Sequence, residues 1–343
     1  MFEMTDKEAG LFVAVQRGIP VAERPFAALA EHCGMSENEV IGFVQRLLFN
    51  GEARRFGAVF DSRRLGYRSA LCCMWIPEAQ IPVVAQHIIA LRGVTHAYQR
   101  GWIDELPPDS IGAPRENEWP NFWFTLAVPA KSFSQELDTL RARCAPYSIY
   151  ELPALNRFKI DVVFDLRKGS RDEQVEARPA IDLNSAESYE LTPGQQAIVR
   201  YLEGDLPVTA DFYGQLANHL GLEKSVLLQT LTLWKGSGVL RRIGLLLRHR
   251  EVGFLANGMC CWNVPQADIL EVGRRVSQCP EVTHCYERPL LEIFPFNLFA
   301  MIHTTAWQDT QSLFQRISDD CGLSGGQLLL SVREYKKTSM QFF

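Results

Sequence analysis

The residues best suited to chemistry crowd into the last third of this chain. His284, Tyr286 and Arg288 alternate within one strand-like run, and Asn297, Phe299, Met301 and His303 alternate within the next. Alternating residues on a strand share a face. A connection centred near Leu291–Glu292 sets His284 opposite Met301 or His303, and opposed residues look to the same side of a sheet. The two imidazoles are then opposed or diagonal neighbours in one pocket, subject to register. Such a pair can act as acid and base near neutral pH, or ligate a metal through neutral nitrogens. Either histidine alone reads better as a strand residue hydrogen-bonded to backbone. The pair together, beside Arg241, Arg242, Arg248, Arg250 and Arg288, with His249 among them, points to function. Guanidinium forks suit carboxylates or phosphates. Taken singly they are ordinary solvated charge, but so large a supply fits a ligand with many carboxylates.

The scaffold carrying these residues occurs twice. Residues Thr5–Phe60 and Thr192–Leu247 align without a gap at a shift of 187, and Arg54-Arg55-Phe56-Gly57 falls on Arg241-Arg242-Ile243-Gly244. Further on, Val94–Arg100 matches Val282–Arg288. Each copy is long enough to be a folded module rather than a solenoid unit. The copies differ where chemistry is expected. His96 keeps the place of His284, whereas Ala127 aligns with His303 and Ser62 with His249. The complete site is therefore expected in the C-terminal copy, with the N-terminal copy as a supporting partner.

Composition bounds the function. The 343 residues are 47% apolar with a net charge of −5, which suits two or more cored domains and argues against a nucleic-acid binder. Nine cysteines include the adjacent pairs Cys72-Cys73 and Cys260-Cys261. Strand neighbours point to opposite faces, so buried reduced thiols are expected rather than disulfides or zinc ligands. The first residues do not read as a signal peptide and no run is long and apolar enough to span a bilayer, so a soluble cytoplasmic protein is expected.

In the N-terminal copy, Glu8–Gln16, Phe26–Cys33 and a segment capped by Ser36, with Glu39 completing a capping box, read as three helices. In the C-terminal copy the matching helices are Gln195–Leu202, Phe212–Leu220 and Lys224–Lys235. With the strand-like Arg54–Phe60 and Arg241–Leu247 these read as winged helix-turn-helix units. The second part of each copy follows a βαββαβ order, the signature of a ferredoxin-like sandwich. The fold class is α+β: two tandem copies of a winged helix-turn-helix followed by a ferredoxin-like domain. The expected limits are 1–66 and 67–166 for the first copy, 167–188 for a linker, and 189–252 and 253–343 for the second. An insertion over Gly101–Glu118 reads as a loop or lid. The third helices, which would read DNA, are acidic in their first turn in one copy (Glu37, Glu39) and largely apolar in the other, so DNA binding is not expected.

The order helix-turn-helix then βαββαβ resembles the Lrp/AsnC family of regulators. More specific motifs narrow this. Arg-Arg-x-Gly, the turn His249-Arg250-Glu251-Val252-Gly253-Phe254, His284-x-Tyr286-x-Arg288-Pro289, and Pro295-Phe296-Asn297-Leu298 ending in Met301-Ile302-His303 resemble the siroheme decarboxylases, in their fused two-copy form. The resemblance runs nearly end to end. It implies removal of carbon dioxide from the C12 and C18 acetates of siroheme, giving 12,18-didecarboxysiroheme on the route to haem d1 or haem b. It implies His284 and His303 as catalytic residues flanking an acetate, with one alternatively an axial ligand to the substrate iron. It implies Arg241, Arg242, Arg248, His249, Arg250, Tyr286 and Arg288 as substrate-binding residues. No cofactor or protein-bound metal is implied, the iron belonging to the substrate. The partners implied are siroheme or a related iron tetrapyrrole, no DNA and no membrane, an intramolecular pseudo-dimer open to further association, and other haem d1 biosynthesis proteins. Two other functions stand beside this one: a tetrapyrrole-responsive regulator of the Lrp type, and a non-catalytic tetrapyrrole carrier.

Overall fold

The structure, a computed structural model, describes residues 4–102, 119–160, 181–182, 189–247 and 256–343. The N-terminal copy opens with helices α1 (Asp6–Arg17), α2 (Pro25–Cys33) and α3 (Glu37–Phe49) and strand β1 (Ala53–Phe60). Ser36 and Glu39 close the expected capping box on α3, satisfying backbone N–H groups that the helix leaves unpaired. A ferredoxin-like unit follows: β2 (Tyr67–Met74), α4 (Ile81–Ile89), β3 (Val94–Trp102), β4 (Phe122–Pro129), α5 (Phe133–Cys144), β5 (Tyr150–Pro153) and β6 (Asn156–Ile160). Strand β7 (Ile181–Asp182) comes next, then the second copy: α6 (Pro193–Leu202), α7 (Phe212–Leu220), α8 (Lys224–Gly236), β8 (Leu240–Leu247), β9 (Ala256–Trp262), α9 (Ile269–Gln278), β10 (Val282–Glu287), β11 (Leu298–Thr304), α10 (Trp307–Cys321) and β12 (Gln327–Lys337).

The copies are tied together twice. First, the wings are not hairpins of their own: β1 pairs antiparallel with β8, and Gly57 faces Gly244 at the centre of this ribbon. A side chain is not tolerated there, since a Cβ on Gly244 would stand 2.5 Å from the Val15 carbonyl oxygen and one on Gly57 2.5 Å from that of Gly204. The glycine of Arg-Arg-x-Gly thus lets the ribbon lie against the helical layer. The six helices and the ribbon bury one shared core that includes Phe26, Phe56, Phe212 and Trp234.

Second, the two ferredoxin-like sheets fuse into one of ten strands, ordered β5-β2-β4-β3-β12-β9-β11-β10-β6-β7. Each copy contributes its first three strands plus a crossing fourth. In the C-terminal copy β12 runs unbroken from β9 to β3. In the N-terminal copy the fourth strand breaks after Pro153, so that β5 pairs with β2 and β6 with β10. Proline cannot donate to a ladder, which fits a break there. The expected linker is also not wholly unpatterned, because Ile181–Asp182 pairs with β6. The insertion over Gly101–Glu118 lies almost entirely outside the described residues.

Helices pack on one face of each sheet, with separate cores under each copy. The opposite faces meet in a third cluster that draws on both copies, including Cys73, Trp123, Met259, Cys261 and Phe299. The cysteine pairs follow the expected alternation: Cys72 and Cys260 join the helix-side cores while Cys73 and Cys261 join this inner cluster, and all nine thiols are free. Among the described residues no helix is long and apolar enough to cross a membrane.

Candidate active site

The inner face of the C-terminal sheet gathers the two histidines. Cys285 on β10 and Ala300 and Ile302 on β11 point into the helix-side core. Their neighbours His284, Tyr286, Phe299, Met301 and His303 therefore face inward. His284 pairs with Met301, and the ladder slips between Val282 and His284. That bulge leaves Thr283 as the extra residue. Its hydroxyl sits 3.1 Å from His284 Nδ1 and 3.3 Å from His303 Nδ1, and donates to the Met301 carbonyl at 3.2 Å. The two imidazoles are diagonal neighbours joined through one oxygen.

A hydrogen-bond chain orients them. The Ser331 hydroxyl donates to Asn257 Oδ1 (3.4 Å), which turns Asn257 Nδ2 towards His303 Nε2 (3.1 Å). An amide N–H needs an acceptor, so the network assigns the proton of neutral His303 to Nδ1, facing Thr283. Because the Thr283 proton goes to Met301, its lone pairs accept from both Nδ1 atoms. His284 is then protonated at Nδ1 and carries its lone pair on Nε2. No described residue hydrogen-bonds that Nε2. Burial, with the charges of Arg241, Arg288 and Lys159, pushes His284 down to about 4, so it is neutral at pH 7.

The arginines separate into groups. Arg288 lies over the Tyr286 ring (5.1 Å) and the Phe299 ring (5.6 Å), and donates to the Leu152 carbonyl of the other copy. Arg241 crosses to the N-terminal copy, donating to Asp61 Oδ2 at 2.9 Å. Arg242 does not join them. Adjacent strand residues diverge, and the Arg242 guanidinium donates to the Gln16 carbonyl at the end of α1. Arg242, expected to bind substrate alongside Arg241, is thus placed where it ties the ribbon to the helices. Arg248, His249 and Arg250 lie outside the described residues. Among the described residues no group of three or more His, Cys, Asp or Glu could hold a metal ion.

Several residues here escape a reading of the sequence. Thr283, Asn257 and Ser331 serve the histidines. Strand β6 brings Arg157 opposite Tyr286. Lys159 caps the end of α9 at the Cys279 carbonyl (2.9 Å). Glu287, only 2% exposed, is held by Asn156 (2.6 Å) and Gln266 (3.2 Å), which fastens the crossing strand to β10.

The N-terminal copy repeats half of this arrangement. His96 Nδ1 lies 2.9 Å from Thr95 Oγ1, and the His96–Tyr98 ring separation of 6.3 Å equals that of His284–Tyr286. Arg100 lies over Tyr98 at 5.5 Å and donates to the Leu329 carbonyl. Burial, then Lys337, Arg54 and His284, pushes His96 down to about 4. The other half is missing. Ser69 pairs with Ala127 as Asn257 pairs with His303. Leu71 pairs with Leu152 as Met259 pairs with Leu329, which sets Ala154 at the place of Ser331. The linked chain His303–Asn257–Ser331 thus becomes Ala127, Ser69 and Ala154.

Comparison with known proteins agrees with this architecture. The profile of the AsnC-like ligand binding domain matches residues 64–159 and 251–336. The profile of the siroheme decarboxylase NirDL-like HTH domain matches residues 11–52. The siroheme decarboxylase of Hydrogenobacter thermophilus is 33% identical over 334 residues, covering 96% of this chain and 92% of that protein. The crystal structure of the siroheme decarboxylase NirDL superposes with a TM-score of 0.70 at 29% identity, covering 98% of this chain and 94% of the other. The same enzyme in co-complex with an iron-uroporphyrin III analogue superposes at 0.69, with 28% identity and the same coverage. The repeated helix-turn-helix and AsnC-like units and their match along nearly the whole chain make this protein a member of the siroheme decarboxylase family.

Proposed function

We propose that this protein decarboxylates siroheme, converting the acetate side chains at C12 and C18 to methyls, with the C-terminal copy holding the reacting acetate. The reading is carried by the Thr283 hydroxyl that joins His284 and His303 on the inner sheet face, next to Arg241 and Arg288. In each step the carboxylate leaves as carbon dioxide, and the electron pair of the broken bond stays on the side-chain methylene carbon. The conjugated macrocycle delocalises that charge until one proton arrives and the methyl forms. The balance of the step consumes one proton and transfers no electron to or from an external partner.

The protein's tasks are then binding, positioning and proton supply. Siroheme carries eight carboxylates, whose desolvation requires cations within the pocket. Arg241 and Arg288 meet that requirement beside His284, with Tyr286 as a further donor. The anionic substrate offsets the same charges that hold His284 down, so its arrival raises the proton affinity of the imidazole pair. One histidine delivers the proton to the nascent carbanion. The other, linked through Thr283, holds the acetate and restores the proton.

A second role for one histidine is favoured by a specific feature. His284 is neutral, tethered at Nδ1 and bears its lone pair on Nε2, the arrangement a metal-ligating histidine needs. In that role His284 binds the substrate iron axially and His303 handles the proton. The experiment is turnover of siroheme by the purified chain, with carbon dioxide and product measured, alongside a gel shift. Product without DNA affinity supports the decarboxylase, whereas DNA binding without product supports a tetrapyrrole-responsive regulator. An imidazole–iron signature lost only in His284→Ala supports ligation by that residue.

A further inference from the structure

Of three guanidiniums close to this site, only Arg241 enters the chemistry above, as a cation for the substrate's carboxylates; Arg63 and Arg157 have no part in it. Arg63 follows β1, Arg157 lies on β6 and Arg241 on β8. They come from separate elements and from both copies, yet all three meet one atom, Asp61 Oδ2, at 3.3, 3.6 and 2.9 Å. The other carboxylate oxygen, Oδ1, accepts from the Arg63 backbone N–H at 3.2 Å. Asp61 is buried at 5% exposure, while the Arg63, Arg157 and Arg241 side chains remain 21%, 12% and 25% exposed. The anion lies beneath and the cations above it.

We propose that Arg63, Arg157 and Arg241 form a subsite for one carboxylate arm of an anionic tetrapyrrole, and that Asp61 is the positioning residue that builds it. The identity of the macrocycle rests on the siroheme reading; the carboxylate chemistry of the subsite does not. A single oxygen cannot saturate the Arg157 and Arg241 forks, which carry five donors each. Among the described residues, Arg157 and Arg241 reach no second carboxylate within 4 Å. Held this close, the guanidiniums repel one another, and an incoming carboxylate both relieves that repulsion and takes up their remaining donors. The place is also right. Arg157 stands opposite Tyr286 in the ladder, and the Arg241 charge bears on His284. Burial alone would raise the Asp61 carboxyl, but Arg241, Arg63 and Arg157 together hold it at about 2, so it is ionised throughout the working range.

Among the described residues the subsite occurs once. At the shift of 187 the Asp61 position is Arg248 in the other copy. The residue opposite Tyr98, at the place of Arg157, is Glu334. The charges are exchanged, so only the face beside His284 carries this arrangement.

The test exploits the sign of the effect. Asp61→Asn keeps the shape and makes the site one charge more positive. If the guanidiniums act only as charge, iron uroporphyrin III binds the variant more tightly. If Asp61 positions them, binding weakens despite the added charge. The expected result, by titration at fixed ionic strength, is a Kd raised about tenfold or more, the scale of breaking a buried charge pair. KM for siroheme should rise with it while kcat changes little, and Asp61→Glu should recover part of the loss. An unchanged or lower Kd in folded Asp61→Asn overturns the proposal. Should that variant fail to fold, Arg157→Gln decides: weaker binding with a shallower salt dependence is expected, and a wild-type Kd overturns the subsite. Siroheme turnover by the wild type is scored separately. Weakened analogue binding in Asp61→Asn with no wild-type turnover removes the reaction and leaves the subsite standing. Wild-type turnover with unaffected binding in Asp61→Asn removes only the subsite.

Discussion

Replacing Thr283 by valine removes one oxygen and leaves the backbone bulge intact. That oxygen makes three contacts, to His284, His303 and the Met301 carbonyl. A net contribution of about 0.5–1.5 kcal/mol per hydrogen bond, with a cost of about 1–3 kcal/mol where a buried partner is left unsatisfied, sets the scale. The carbonyl cannot turn away, whereas the imidazoles can rotate towards other partners. The expected loss is thus about 2–4 kcal/mol of stability, seen as a Tm lower by several degrees. Activity should fall further than stability explains, because freed imidazoles lose their tautomers and their alignment. A loss of about 1.4–2.8 kcal/mol in transition-state stabilisation corresponds to a kcat about ten- to a hundredfold lower. The assay is siroheme turnover below the melting range, with Thr283→Ser as the control that keeps the hydroxyl. Wild-type kcat in Thr283→Val, with only the Tm reduced, refutes the reasoning and makes the hydroxyl a packing device.

The remaining predictions concern the copies and pH. His303→Ala should abolish turnover rather than halve it, since Ala127 occupies the matching place in the N-terminal copy; half activity in a quantitative product assay contradicts this. His96 and His284 are both held near 4 by burial and neighbouring cations. Between pH 6.5 and 4 the unfolded chain therefore binds more protons than the native one, so stability falls as pH drops through that window and is unaffected by these groups above it. The size over the whole window is on the order of 3 kcal/mol for each histidine. Thermal melts from pH 8 to 4.5 should show this slope, and a flat Tm contradicts the burial of the pair. Asp61, held low, adds a separate loss only between about pH 4 and 2.

How far the sequence carried the account depends on the range of the interaction concerned. The capping box at Ser36 and Glu39 lies within one turn and was legible. So was the pairing of His284 with Met301 or His303, because alternation and a short connection restrict a hairpin. The equivalence of Ala127 and His303 followed from comparing the copies, and the ladders Ser69–Ala127 and Asn257–His303 agree with it. The bulge at Thr283 was not legible, since no local residue type announces an extra residue in a strand. The ribbon of β1 and β8 joins segments 187 residues apart, and each wing alone resembles half of an ordinary hairpin. Asp61 reads as a solvated turn residue until the crossing strand brings Arg157 to it. The largely apolar third helix of the second copy leaves its outer face partly open, with Val226 47% and Leu233 67% exposed.

The central claim is that one linked imidazole pair serves the decarboxylation of an iron tetrapyrrole. The most direct measurement compares the purified chain with its His284→Ala, His303→Ala double variant, following carbon dioxide and the macrocycle product from siroheme. The account predicts two carbon dioxide molecules per siroheme from the wild type, and none from a variant that remains folded. Product from the double variant, or none from the wild type, would contradict it.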